Sequence, residues 1–251
     1  MDMSFKDKFS TLFERYFDGS ELPIVFYYTN ERRNMELVEP QSVRCIMEAL
    51  SDVRKGRSLL FSQDSITCKG GKRFLGFSQE MRPDFEHFLS SVEHYKKSPE
   101  LVREMIKSSS GFKAPADFIA FKRWDKLEET DEPEVVIFFS TVDVLSGLFT
   151  LANYDVAEPD GVFTPMGAGC SSIILRPYLE KESKHPRGVI GMFDIAARPF
   201  VAENTLTFSA PMRKFAAMVE NMESSFLTTK SWKKVLDRIS MSAGGKEREG
   251  E

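Results

Sequence analysis

The stretch Glu134-Val135-Val136-Ile137-Phe138-Phe139-Ser140 is β-branched or aromatic almost throughout and carries no alternation of polar and apolar positions. A run of that kind reads as a strand covered on both faces. It passes without a break into Asp143–Asn153, whose apolar residues recur at helical spacing behind Ser140 or Thr141 as N-cap. A strand that feeds a helix directly is the join from which α/β sheets are built.

Working outward toward the N-terminus, Asp117–Arg123 and Leu22–Thr29 read as strands, and Ser58–Ser62 as a short one that opens into a loop containing Cys68-Lys69-Gly70-Gly71. Phe5, Phe9, Leu12, Phe13 and Tyr16 mark an amphipathic first helix. Gln41–Lys55 returns to helical period with Cys45 inside it and Gly56 as its stop. Pro83–Lys96 and Pro99–Lys107 follow as helices, and Glu128–Pro133 as an acidic, solvated turn. Toward the C-terminus, Gly188–Ile195 and Thr205–Ser209 read as strands, Met212–Phe226 and Ser231–Ile239 as helices; Ile173–Leu179 fits either state. No internal repeat and no linker is visible. The expectation is one α/β (or α+β) domain over residues 1–240, a mixed β-sheet flanked by helices, with a disordered tail over 241–251.

Of the 251 residues 41% are hydrophobic and 29% charged, and the formal net charge is -4 without long blocks of either sign. That balance argues against a nucleic-acid binder, which needs a clustered basic surface. No apolar run approaches the roughly 18 residues of a membrane span, and Asp2, Lys6, Asp7 and Lys8 stand where a signal peptide is apolar. The chain is expected to be soluble and cytoplasmic, with a small-molecule ligand and neither nucleic acid nor membrane as partner.

Chemistry is carried by three cysteines. Their separations of 23 and 102 residues match no zinc-finger or ferredoxin spacing, and free cysteine is more often a small buried hydrophobe than a ligand. Their surroundings say more: Gly70 and Gly71 follow Cys68, while Gly167 and Gly169 precede Cys170, so two thiols sit where backbone can approach a ligand closely. Cys170 also stands before a possible helix start, where the dipole favours a thiolate. His87, His94 and His185 are the only imidazoles and read as surface residues. There is no Walker A spacing, no Gly-x-Ser-x-Gly elbow and no His-Glu-x-x-His.

Arg44-Cys45 ahead of Arg54-Lys55-Gly56, Cys68-Lys69-Gly70-Gly71 leading to Leu75-Gly76-Phe77, Pro133–Ile137, Gly169-Cys170, and Leu206-Thr207-Phe208-Ser209 before a Met-rich helix come in an order that resembles the ArCR-type family, domain of unknown function 169, of archaea and anaerobic bacteria. The resemblance runs from about Phe9 to Trp232 and brings no activity with it. It implies that the three cysteines occupy the family's recurrent positions, and an anaerobic setting favours a cluster over zinc.

Three readings follow. In the first, Cys45, Cys68 and Cys170 converge on a metal, zinc or an iron–sulfur cluster, with the fourth position open or filled by a non-Cys ligand, for ligand binding or redox chemistry. In the second, the loops at Gly70, Gly71, Gly167 and Gly169 frame a metal-free pocket for a small anionic or planar ligand, with Arg44, Lys69, Arg123 or Arg198 as counter-charge. In the third, Cys170 is the nucleophile of a thiol enzyme.

Overall fold

A computed structural model describes residues 1–246. In chain order it runs α1 (Met3–Phe17), β1 (Ile24–Thr29), β2 (Glu36–Leu37), α2 (Ile46–Arg54), β3 (Leu59–Ser62), α3 (Lys69–Phe74), α4 (Phe85–His87) with a π-helical turn Phe88–Val92, α5 (Pro99–Lys107) and β4 (Phe118–Arg123). It continues with β5 (Val135–Ser140), α6 (Val142–Ala152), β6 (Val162–Phe163), a π-helical turn Ser171–Leu175 leading into α7 (Arg176–Glu180), β7 (Gly188–Gly191), β8 (Leu206–Pro211), α8 (Met212–Asn221) and α9 (Lys230–Lys246). The result is a single α/β domain on one mixed, eight-stranded sheet, as the sequence pattern suggests. Helix α9 extends into the stretch expected to be a disordered tail, and 247–251 lie outside the described residues.

The sheet order is β2-β3-β4-β1-β5-β8-β7-β6. It divides at the β1–β5 pair into two halves with the same connectivity. In each, the first strand lies at the centre, the second at the edge, the third pairs parallel with the second, and the fourth pairs antiparallel with both third and first. The ladders match as well: β1 meets β4 from Ile24↔Arg123 to Thr29↔Phe118, and β5 meets β8 from Val135↔Pro211 to Ser140↔Leu206. Because β1 and β5 are antiparallel through Ile24↔Ile137, Val25↔Val136 and Phe26↔Val135, a pseudo-two-fold axis passes between Val25 and Val136. The repeat that the sequence conceals is therefore a repeat of pairing.

Alternation along the strands assigns the two faces. Val25, Val136, Phe138, Phe208 and Ala210 point to one side, under α1, α6, α8 and α9. There Phe9 sits with its ring centroid 4.7 Å from Trp124 and 4.8 Å from Phe215, in edge contacts that add to the burial of large aromatic surfaces. Helix α6 approaches this layer at Gly147, where an added Cβ would lie 2.3 Å from the ring of Trp232 on α9. Ile24, Phe26, Ile119, Phe121, Val135, Ile137 and Phe139 point to the other side, covered by α2 and the Cys170 segment.

One end of the sheet holds a buried ion pair. Lys122 Nζ lies 2.8 Å and 3.0 Å from the Asp131 carboxylate, both residues being buried. The Glu128 amide donates to Asp131 at 2.8 Å, and the Tyr27 hydroxyl donates to it as well. Glu128, Glu129, Thr130 and Glu132 are exposed, as an acidic, solvated turn implies, but Asp131 is buried and neutralises Lys122, which β4 points into the layer. Burial raises the Asp131 pKa, but the bonds from Lys122, Tyr27 and the Glu128 amide outweigh it and hold the carboxyl below its ordinary value. Asp131→Ala, which leaves Lys122 buried and alone, should cost about 3–5 kcal/mol in urea unfolding. A carboxylate with a depressed folded pKa stabilises fully above its unfolded pKa of about 3.9 and loses that contribution as pH falls through the folded value. Asp131→Asn should therefore flatten the acid limb of stability below about pH 4.

Candidate functional site

Cys45 is not inside α2 but caps it, with extended backbone at φ -137°. The preceding residues are held straight by pairing across a long loop: Val43 bridges Ile66, its amide donates to the Ser65 carbonyl at 3.0 Å, and its carbonyl accepts the Thr67 amide at 2.9 Å. The same pairing brings Cys68 alongside. Gly70 and Gly71, expected in a loop, lie in α3, which Cys68 caps: its Sγ accepts the Gly71 amide at 3.3 Å. A sulfur cap satisfies one of the free donors of a helix start, a role usually given to oxygen.

In the second half Cys170 opens the π-helical turn Ser171–Leu175. Asp194, in the loop after β7, accepts the Gly169 amide on Oδ2 at 2.9 Å and the Ala196 amide on Oδ1 at 3.1 Å, while its carbonyl accepts Ala197 and Arg198 at 3.0 Å each. It thus caps a helical turn of its own and ties the Gly167–Gly169 segment to it. Met192, two residues earlier, has φ +70°, an uncommon conformation for a residue with a Cβ. Gly169 is where three segments meet: a Cβ there would stand 3.0 Å from Ala197, 3.4 Å from Met192 Sδ and 3.4 Å from Met47 Cγ on α2. Helix α3 packs on the π-helical turn.

The three cysteines stand on packed neighbouring segments: Cys45 at the start of α2, Cys68 at the start of α3, and Cys170 on the turn that α3 packs against. Cys170 is 9% exposed, and burial pushes its thiol far above the ordinary range, with Cys68, Cys45 and Asp194 each pushing in the same direction. Burial likewise raises Cys45; the amides of Met47 and Glu48 oppose it, and Cys68 and Asp194 add to it. Cys68 is exposed. As the side chains stand, no group of three or more His, Cys, Asp or Glu among the described residues is placed to hold a metal ion. A single zinc ion, whose thiolates at about 2.3 Å would crowd to about 4 Å of one another, is not accommodated.

The other expected site residues separate. Arg44 is exposed beside Cys45. Arg198 is committed to the carbonyls of Thr205, Ala202 and Glu203, and Arg123 to Asp125, so neither is a free counter-charge. His87, His94 and His185 are exposed. The thiol-enzyme reading of Cys170 is corrected by its burial: desolvation outweighs any help from a helix start and keeps the thiol neutral. Two open clefts lie elsewhere. One, of about 390 Å³, is lined by Tyr28, Glu132 and Glu134; the other, of about 840 Å³, by Asp155, Arg187 and Lys214, whose charges are already paired, Lys214 with Asp155 at 3.2 Å and Arg187 with Glu180 at 2.9 Å.

Two features escape the sequence reading. Asp194 is hidden in the apparent strand Gly188–Ile195, although an Asp ahead of Ala196-Ala197 is a cap signature that breaks such a strand. The hydroxyls of Thr207 and Ser209 on β8 and Nε of Arg176 on α7 are buried without a protein partner, and nothing in their spacing announces it.

Across residues 15–221 the chain matches the model of DUF169, described as uncharacterised ArCR, and it belongs to that family. No curated protein and no solved structure matches it. No helix among the described residues is long and apolar enough to cross a membrane. Alkylation of the native protein at neutral pH should label Cys68 fastest and leave Cys170 unmodified until denaturant is added, as read by peptide mass spectrometry.

Proposed function

We propose that this DUF169 protein holds an iron–sulfur cluster on Cys45, Cys68 and Cys170, and that the cluster binds a small ligand or exchanges electrons in a reducing cell interior. The observation that carries the reading is that three thiols without disulfide partners come from three segments that pack together: Cys45 starts α2, whose Met47 meets Gly169 beside Cys170, and α3, capped by Cys68, packs on the π-helical turn that Cys170 opens.

The local backbone adds support. Cys45 and Cys68 cap the starts of α2 and α3, where amide N–H groups favour negative charge: those of Met47 and Glu48 act on Cys45, and that of Gly71 bonds Cys68. The thiols of Cys45 and Cys170, held neutral by burial, give up their protons on ligation, which makes loading pH-dependent and proton-releasing. When bound, the cluster would supply an electron-accepting or Lewis-acidic iron; the chain supplies the dry wall formed by Met47, Met192 and Ala197 around Gly169.

Anaerobic reconstitution with ferrous iron and sulfide should give a brown protein with iron and acid-labile sulfide in equal amounts. Cys170→Ala and Cys45→Ala should each abolish retention of the chromophore through desalting while leaving the circular dichroism spectrum unchanged. A protein that stays colourless and iron-free after reconstitution, yet folded, removes this reading.

A further inference from the structure

Two segments that run side by side carry a cysteine in the same place. The Gln41 amide donates to the Asp64 carbonyl at 2.7 Å and the Val43 amide to the Ser65 carbonyl at 3.0 Å, while the Thr67 amide and hydroxyl return to the Val43 carbonyl at 2.9 Å and 3.0 Å. The pairing is parallel, with Val43 and Ile66 as bridge partners. Counted two residues on from that bridge, one segment reaches Cys45 and the other Cys68. Both have extended backbone, at φ -137° and ψ 128° and at φ -67° and ψ 118°, and each is the residue before a helix, α2 or α3. Paired segments stand about 4.8 Å apart, inside the span of about 4.4–6.8 Å between Cα atoms that a disulfide bridges. Cys68 is exposed and Cys45 half-buried, so one thiol of the pair is open to a reagent and the other is sheltered. Cys170 is buried, and its own segment is tied to Asp194 instead.

We infer that Cys45 and Cys68 are a reversible dithiol–disulfide pair, a site of redox modification at the corner where α2, α3 and the Cys170 turn meet. The inference does not rest on the cluster, since it concerns two thiols of the iron-free chain. The oxidant is a low-molecular-weight disulfide of the glutathione class. Cys68 gives up its proton, and its thiolate attacks one sulfur of that disulfide, forming a mixed disulfide and expelling one small thiolate. Cys45, deprotonated in turn, attacks Cys68 Sγ, closes the Cys45–Cys68 bond and expels the second. The pair loses two electrons and two protons, and the small disulfide gains them as two thiols. A reduced thiol pool runs the same steps backward, as a transient disulfide in a reducing compartment requires.

The test uses the full chain, purified without added iron or sulfide and equilibrated anaerobically with oxidised and reduced glutathione in graded ratios. Samples are quenched in acid, alkylated in denaturant with N-ethylmaleimide, digested with trypsin without reduction and read by mass spectrometry. The wild type should lose two alkylatable thiols together and yield one linked pair of peptides, Cys45–Arg54 with Ser58–Lys69, which dithiothreitol separates. Cys170 should remain alkylated throughout. Cys45→Ser should hold glutathione on Cys68, because the resolving thiol is gone. Cys68→Ser, which keeps an oxygen to cap α3, should form no internal disulfide. Glutathione that stays on Cys68 in the wild type as it does in Cys45→Ser overturns the pair, as does a linked peptide joining Cys68 to Cys170. A wild type whose three thiols all stay alkylatable at every ratio overturns it as well. None of these outcomes depends on whether the chain takes up iron, so they stand apart from success or failure of the reconstitution.

Discussion

The antiparallel pairing of β1 with β5 at Val25↔Val136 is the constraint on which the rest of the molecule depends. Each strand of that pair carries a half of the chain with the same strand order, so the register fixed there fixes the relation of the halves. A slip by one residue would turn Ile24, Phe26, Val135 and Ile137 from one face to the other and exchange their neighbours with those of Val25 and Val136. Both faces are buried, and hydrophobicity alone does not forbid such a slip. The asymmetry comes from the ends: Lys122 must meet Asp131 on one face, and the Cys170 segment must be met on the other by Phe139 and Ile137. A polar contact buried in an apolar sheet thus chooses among registers that apolar packing leaves close in energy.

The same geometry explains why four loops far apart in sequence reach one place. In each half a helix start follows the edge strand and a cap follows the third strand, and within each half the two are joined by hydrogen bonds, backbone to backbone between Val43 and Ser65 and Thr67 in one, and from the Gly169 amide to the Asp194 carboxylate in the other. The halves then meet where Gly169 approaches Met47. A methyl group at Gly169 would crowd Ala197 at 3.0 Å and fill the contact with Met192 and Met47 at 3.4 Å, so the glycine permits the close approach of these segments.

Much of this was legible in the sequence, and the gaps have identifiable causes. The continuous apolar run at 135–140 and its direct passage into α6 predict a buried strand and the α/β class, because both signals are local. Cys45 is read inside a helix because Val43, Ile46, Met47 and Leu50 keep helical period, whereas the strand-like pairing of Val43 with Ile66 is a contact between distant residues. Gly70 and Gly71 are read as a loop because glycine disfavours helices, and a thiol cap on α3 is not among the usual start signals. The repeat is invisible because α6 stands between β5 and β6 where the first half has only residues 30–35, and residues 63–117 separate β3 from β4 where 192–205 separate β7 from β8.

Cys170 is buried and Cys45 half-buried at the edge of the core, and burial raises both thiols, which keeps charge out of surroundings that disfavour it. The Asp194 carboxylate accepts the amides of Gly169 and Ala196, one on each oxygen. The corner is therefore a packed apolar seam with one solvated opening at Cys68. On this view the neutrality that bars Cys170 from nucleophilic chemistry is also what allows the halves to close around it.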